Sequence, residues 1–113
     1  MANFWNSGDL YDNGTTPIGF YNGFQTVGAP DMKNGFGLYD MYGNVAELCW
    51  DRVGSYSSAR QEDPHGPDTG DRIVCGGFWY DNAEILRSSV RQWQNPFTAA
   101  IYTGFRCVRG AGF

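Results

Sequence analysis

The eighteen residues from Asn34 to Asp51, NGFGLYDMYGNVAELCWD, constrain this chain more than any other stretch. Asn34-Gly35-Phe36-Gly37 is turn chemistry, because Gly reaches positive φ without steric cost and Asn tolerates it. Leu38, Tyr39, Met41 and Tyr42 then supply a compact apolar and aromatic anchor. Around the next tight turn lie oxygen donors: carboxylates on Asp40 and Glu47, and the backbone carbonyls of Gly43 and Val45. A hard cation such as calcium takes six to eight such oxygens at roughly 2.3–2.6 Å. The spacing D-x2-G-N-x2-E is not that of an EF-hand loop. Spacing alone therefore leaves two readings open, a cation site or a Gly-rich loop whose acids face water.

A chain of 113 residues makes one domain. Sixteen glycines, 17% aromatic residues and only 18% charged residues point to short elements joined by tight turns and pinned by rings. The net charge is −4 and no Lys/Arg cluster occurs, which argues against nucleic acid and anionic membrane as partners. No apolar run reaches transmembrane length, and the N-terminal MANFWNSGDL lacks the regions of a signal peptide. The expectation is a cytoplasmic protein. Three cysteines, Cys49, Cys75 and Cys107, read as buried free thiols rather than as a disulfide framework.

Along the chain, residues 2–33 carry a turn signal every few positions, at Gly8-Asp9, Asn13-Gly14, Asn22-Gly23 and Ala29-Pro30-Asp31. An ordered but irregular segment is expected there, held by Phe4, Trp5, Leu10, Tyr11, Phe20, Tyr21 and Phe24. Short strands are predicted over 45–52, 72–79, 87–93 and 103–109, with one helical turn over 81–86. The loop 53–71 is polar, and Pro64, Gly66, Pro67 and Gly70 exclude regular structure from it. Gly76-Gly77 marks a bulge or a close backbone approach. Trp79 and Trp93, both in predicted strands, are expected to be buried.

The run LYDMYGNVAE…WD resembles the signature of the formylglycine-generating enzyme, or sulfatase-modifying factor, family. Asp63 to Trp79, DPHGPDTGDRIVCGGFW, is similar to that family's DP-GP-G-RV-RGGSW segment. Arg87-Ser88-Ser89-Val90-Arg91 resembles its RSA-R segment, and Gly104-Phe105-Arg106 its closing GFR. The resemblance implies an α+β, mostly irregular C-type-lectin-like fold with short antiparallel strands. It also implies two calcium sites, one on Asn3, Phe4, Asn22 and Phe24, the other on Asp40, Gly43, Val45 and Glu47. Asn22 stands where the family has Asp, so the first site keeps an oxygen but loses a charge. The family domain is about twice this long. Residues 1–113 therefore read as a single truncated domain, its C-terminal half, and a half-domain is expected to form a homo-oligomer to cover its apolar surface.

One fold in this family serves oxidases, sulfoxide synthases and binding proteins, so function rests on the site. The oxidases hold a copper-binding cysteine pair after the Gly-Gly. Here that segment, 78–94, contains no cysteine. The iron-dependent synthases need several histidines, and His65 stands alone in a Pro/Gly loop. Asp81 and Glu84 lie three apart and are expected to be neutralised by Arg87 and Arg91. What remains is recognition. Trp79, Tyr80, Asp81, Asn82, Trp93, Phe97 and Tyr102 interleave rigid rings with adaptable polar groups, the composition of a paratope. In the family's diversified binding proteins the same region carries the variable side chains. The expectation is a non-catalytic, calcium-binding protein for an unknown ligand. The alternatives are an enzyme with diverged oxidase chemistry, or a fragment that complements another half-domain.

Overall fold

The computed structural model describes residues 2–11, 13–25 and 27–110. Its strands are β1 (Ala46–Arg52), β2 (Arg72–Cys75), β3 (Gln92–Gln94) and β4 (Thr103–Gly104), in the order β3-β2-β1-β4. Ile73 and Val74 fix β2 at the centre. Neighbouring β-branched residues point to opposite faces of a strand, and both are buried, so the sheet is covered on both sides. β1 and β2 run antiparallel with Glu47 opposite Cys75 and Leu48 opposite Val74, and the register then slips before Arg52 pairs with Arg72. β2 and β3 are antiparallel, with Ile73 opposite Trp93. β4 departs from the expectation of antiparallel strands: it runs parallel to β1, Ala46 facing Thr103.

The strands are shorter than predicted, and β2 is ended by glycines. Gly76 and Gly77 have φ of +93° and +68° and stop β2 four residues short of Trp79. Of the bulge or close approach expected at this Gly-Gly, the close approach forms: a Cβ on Gly76 would lie 3.2 Å from the Met41 carbonyl oxygen and one on Gly77 3.0 Å from the Leu86 side chain, while the register slip lies in β1, between Leu48 and Arg52. No helix forms among the described residues. Over 81–86 the chain makes successive turns, Asp81 N–H donating to the Phe78 carbonyl at 3.0 Å and Ile85 N–H to the Asn82 carbonyl at 3.1 Å. The Asn82 side chain accepts the Glu84 N–H at 3.1 Å, and such local side-chain bonding competes with a helix. Trp93 is 67% exposed rather than buried. It sits on an edge strand of three residues, and its cross-strand partner Ile73 occupies the buried position.

The irregular N-terminal segment is bound to the sheet at defined points. Asn3 bridges to Gly43 in parallel, and Trp5 N–H donates to the Asp81 carbonyl at 2.9 Å. Tyr11, Phe20 and Tyr21 meet edge to face at 5.1 and 5.2 Å, and Tyr21 is buried with its hydroxyl on Asp9. Leu10 and Phe24 take no part in that cluster; they are almost fully exposed. Apolar burial is thin, with Tyr21, Ala46, Ile73, Val74 and Leu86 as the buried hydrophobic residues among the described residues. The accessible surface is 8589 Å², against roughly 6,200 Å² for a folded monomer of this mass. The radius of gyration, 15.7 Å, likewise exceeds the roughly 13 Å of a compact domain of this length.

Gly43 is where the N-terminal segment meets the loop before β1. Its φ is +74°, and a Cβ there would lie on the Asn3 carbonyl oxygen. Gly43→Ala is expected to break the Asn3–Gly43 bridge and cost at least about 3 kcal/mol, the sum of a left-handed penalty and a core clash. Urea denaturation against Gly35→Ala, which meets nothing within 4 Å, measures the difference.

Candidate functional site

The loop 40–47 turns tightly through two left-handed non-glycine residues, Asp40 at φ +55° and Asn44 at φ +64°. Asp40 Oδ2 accepts the Gly19 N–H at 2.7 Å, and Gly43 N–H donates to the Gly76 carbonyl at 2.8 Å. Glu47, at the start of β1, is gripped by Arg106. The guanidinium places Nη2 at 2.6 Å from Oε1 and Nε at 3.1 and 3.0 Å from the two carboxylate oxygens. Its Nη2 also donates to the Tyr39 carbonyl at 3.0 Å. The hydrogen bond to Glu47 holds Arg106 above its ordinary value. Sequence reasoning missed this partner, since the two residues lie 59 positions apart. Its signal was the closing GFR read only as a family mark.

The other oxygen set is divided between two surroundings. Asn3 is 1% exposed and donates from Nδ2 to the Gly14 carbonyl at 2.8 Å, while its Oδ1 is buried without a hydrogen-bond partner. The Phe4 carbonyl accepts Ser7 N–H at 3.0 Å. Asn22 bridges to Asp31, and its Oδ1 accepts the Phe24 N–H at 2.9 Å. A buried amide oxygen with no donor is an acceptor suited to a cation. In the second set a cation is already present: Arg106 on Glu47. A carboxylate offers about four lone-pair sites, so a metal there would share it.

Rings from distant parts of the sequence meet on one ladder. Trp5 lies edge-on to Tyr80 at 4.8 Å, Tyr80 to Trp79 at 5.4 Å, and Trp79 to Phe78 at 6.4 Å. Phe78 in turn stacks on Tyr102 at 4.6 Å. Trp79, Tyr80 and Tyr102 are thus brought together, with Trp5 as a member that sequence reasoning had assigned to internal packing. Trp93 and Phe97 make no ring contact with the ladder among the described residues; Phe97 is 95% exposed on the turn after β3. Asp81 underlies the ladder as a structural group. Its Oδ2 accepts the Phe78 N–H at 3.1 Å, and burial pushes its carboxyl above the usual range. Asn82 is a turn former.

The arginines expected to neutralise Asp81 and Glu84 go elsewhere. Arg87 donates to the Glu84 carbonyl rather than its carboxylate. Arg91 pairs with Asp51 at 3.6 Å and the Tyr56 hydroxyl at 2.6 Å. His65 is exposed in its loop. All three cysteines are free, but Cys107 is exposed and Cys49 and Cys75 only half-buried. The Cys49 thiol lies 3.9 Å from the Glu47 carbonyl, and burial, followed by the neighbouring Cys75, pushes it up to about 11.

A family model described as the sulfatase-modifying factor enzyme 1-like domain matches residues 1–111. The chain is 36% identical over 107 residues to the serine/threonine-protein kinase pkn1 of Chlamydia caviae, covering 90% of this chain and 16% of that protein. To the formylglycine-generating enzyme of Thermomonospora curvata it is 38% identical over 97 residues, 78% of this chain and 32% of that one. The solved structure of Treponema denticola variable protein 1 superposes with a TM-score of 0.70 at 28% identity, over 92% of this chain and 34% of that one. The chain thus spans about a third or less of these proteins. The fold is C-type-lectin-like, mostly irregular with short strands.

Asp81 gives a pH signature. A carboxyl whose folded value is raised contributes stability below its unfolded value, lost as pH rises through the folded value. Asp81→Asn keeps the acceptor for Phe78 N–H without the buried charge. It is expected to match or exceed the parent in melting temperature at pH 7, the gain vanishing below about pH 4; thermal melts across that range measure it.

Proposed function

The chain belongs to the sulfatase-modifying factor enzyme 1-like family, and from that premise we propose that it is a non-catalytic recognition module, stabilised by calcium and working as a homo-oligomer. The observation that carries this reading is the content of residues 78–94: half-buried and exposed rings and amides, with no cysteine. Ligand contact is assigned to Trp79, Tyr80 and Tyr102 on the ladder, with Trp93 and Phe97 as outlying exposed rings and Asp81 and Asn82 fixing the turn beneath. Rings with few rotatable bonds give large contact area at low entropic cost. Oxygen uptake with a cysteine-containing peptide after copper loading tests the non-catalytic part. Uptake at the no-protein rate is expected; turnover above it favours the diverged-oxidase alternative instead.

Calcium would be held by Asn3, Phe4, Asn22 and Phe24 at one site and by Asp40, Gly43, Val45 and Glu47 at the other, cross-linking segments with little shared core. The unpartnered Asn3 Oδ1 supports the first. At the second, Glu47 would serve the ion and Arg106 together. The surface excess of roughly 2,400 Å² over a folded monomer supports self-association, being above what a standard interface removes from one partner. A hundredfold excess of calcium over its dissociation constant is expected to stabilise the chain by about 2.7 kcal/mol. The effect should shrink in Asp40→Asn, which keeps the Gly19 hydrogen bond but drops a charge. Melting curves in calcium and in EGTA decide it, identical curves being the adverse result. Light scattering on the same samples should read more than one chain per particle; a monomer removes the oligomer from the proposal.

A further inference from the structure

Trp50 lies on β1, inside the sheet between β2 and β4, yet it is 77% exposed. A sheet buries its apolar face against another layer, and a large ring left open on an interior strand marks a surface that something else covers. One side of this ring is occupied. The Arg72 guanidinium lies over it, 4.6 Å from the centroid, and donates to the Trp50 carbonyl. The other side is open. Trp50 also walls an open groove of about 690 Å³ together with Met41, Leu48 and Val108, the last almost fully exposed. None of these residues belongs to the ring ladder. The charges of the groove are already engaged within the chain: Arg106 holds Glu47 at 2.6 Å, and Arg72 caps the ring.

We propose that this face pairs with the same face of a second copy, about a two-fold axis on which the open sides of the two Trp50 rings stack. The pairing takes the self-association proposed above as its premise and names the surface that carries it. Area allows it: the chain exposes roughly 2,400 Å² more than a folded monomer of its mass, and a standard interface takes about 800 Å² from each partner. Symmetry suits it, since across a two-fold axis each copy offers one ring and one groove, and each fills the other. Charge decides for it. The order Arg72, Trp50, Trp50, Arg72 leaves the two cations at the outer ends of the stack, about 14 Å apart. That exceeds the Debye length of about 8 Å at physiological salt, so the like charges do not oppose the pairing. A partner bringing a carboxylate would have to lift Arg72 from the ring and forfeit that contact. Trp, Met and Arg are also the residue types enriched where interfaces are fully buried.

Sedimentation equilibrium of the full chain, in reductant so that no disulfide links the copies, reads the pairing. The parent should sediment as a dimer. Trp50→Ser removes the anchor from both copies at once and should raise the dissociation constant by at least about a hundredfold. Trp50→Phe keeps a ring and should still pair, and Phe36→Ser, which deletes an equally exposed ring from the turn at 34–37, should pair as the parent does. Hydroxyl-radical footprinting of the unmodified chain decides even where a variant fails to fold: Trp50 should be protected above the dissociation constant and labelled on dilution below it, with Phe36 labelled at both concentrations. An oligomer that persists in Trp50→Ser, or Trp50 labelled equally at both concentrations, overturns this face while leaving self-association standing. A parent that stays monomeric overturns both.

Discussion

The side chain and peptide of Asn44 tie together what the sheet alone does not. Its Oδ1 accepts the Thr16 N–H at 3.0 Å and its Nδ2 donates to the Thr16 carbonyl at 3.3 Å, so one amide satisfies a buried peptide from 28 residues away. Its own N–H donates to the Asn3 carbonyl at 2.8 Å, and its carbonyl accepts the Trp79 N–H at 3.0 Å. Three loops thus converge on one residue. A buried peptide left without partners costs about 1–3 kcal/mol for each group, so these contacts are obligatory rather than ornamental. Adjacent Gly43 lets the Asn3 backbone come close enough for them to form.

This dependence follows from how little the strands hold. β3 has three residues and β4 two, and few apolar side chains are buried. In a large core, packing sets the positions of loops; here hydrogen bonds between loops set the position of the sheet's coverings. Asp9 repeats the device on a smaller scale, accepting from Ser7 and the Tyr11 N–H while the Tyr21 hydroxyl sits on its carboxylate. Burial works to raise Asp9, but those three bonds win and hold it below the ordinary carboxylate range. The carboxylate is therefore kept charged as the hub of the N-terminal segment.

Much of the sheet was legible because its signals are local. Loose alternation with Leu48 and Trp50 apolar placed β1, and β2 was read as the strand that leaves the Pro/Gly loop. Local signals failed where two local preferences compete, as at Asn82, whose side chain bonds the following backbone and forestalls a helical turn. They failed again at Trp93, since a strand pattern does not say whether the strand is an edge. The parallel pairing of β4 with β1 joins residues more than fifty positions apart and leaves no periodicity to read. Of the site, the oxygens of 40–47 were visible as a spacing. Arg106 on Glu47 and Trp5 on Tyr80 were not, because each is a product of tertiary closure.

The same division explains which parts of such a chain are free to change. Residues 43–44 and 76–77 carry backbone conformations and approaches that few side chains tolerate, with Met41, Asn3 and Leu86 within 3.4 Å of any added Cβ. The ladder rings, by contrast, rest on turns whose hydrogen bonds run through the backbone: Trp79 N–H to Asn44, Asp81 N–H to Phe78, Trp5 N–H to Asp81. Exchanging a ring there alters the surface without removing a bond that holds the fold. A scaffold fixed by main-chain contacts separates the bonds that hold the fold from the rings at its surface. That separation allows one backbone to serve chemically unrelated tasks.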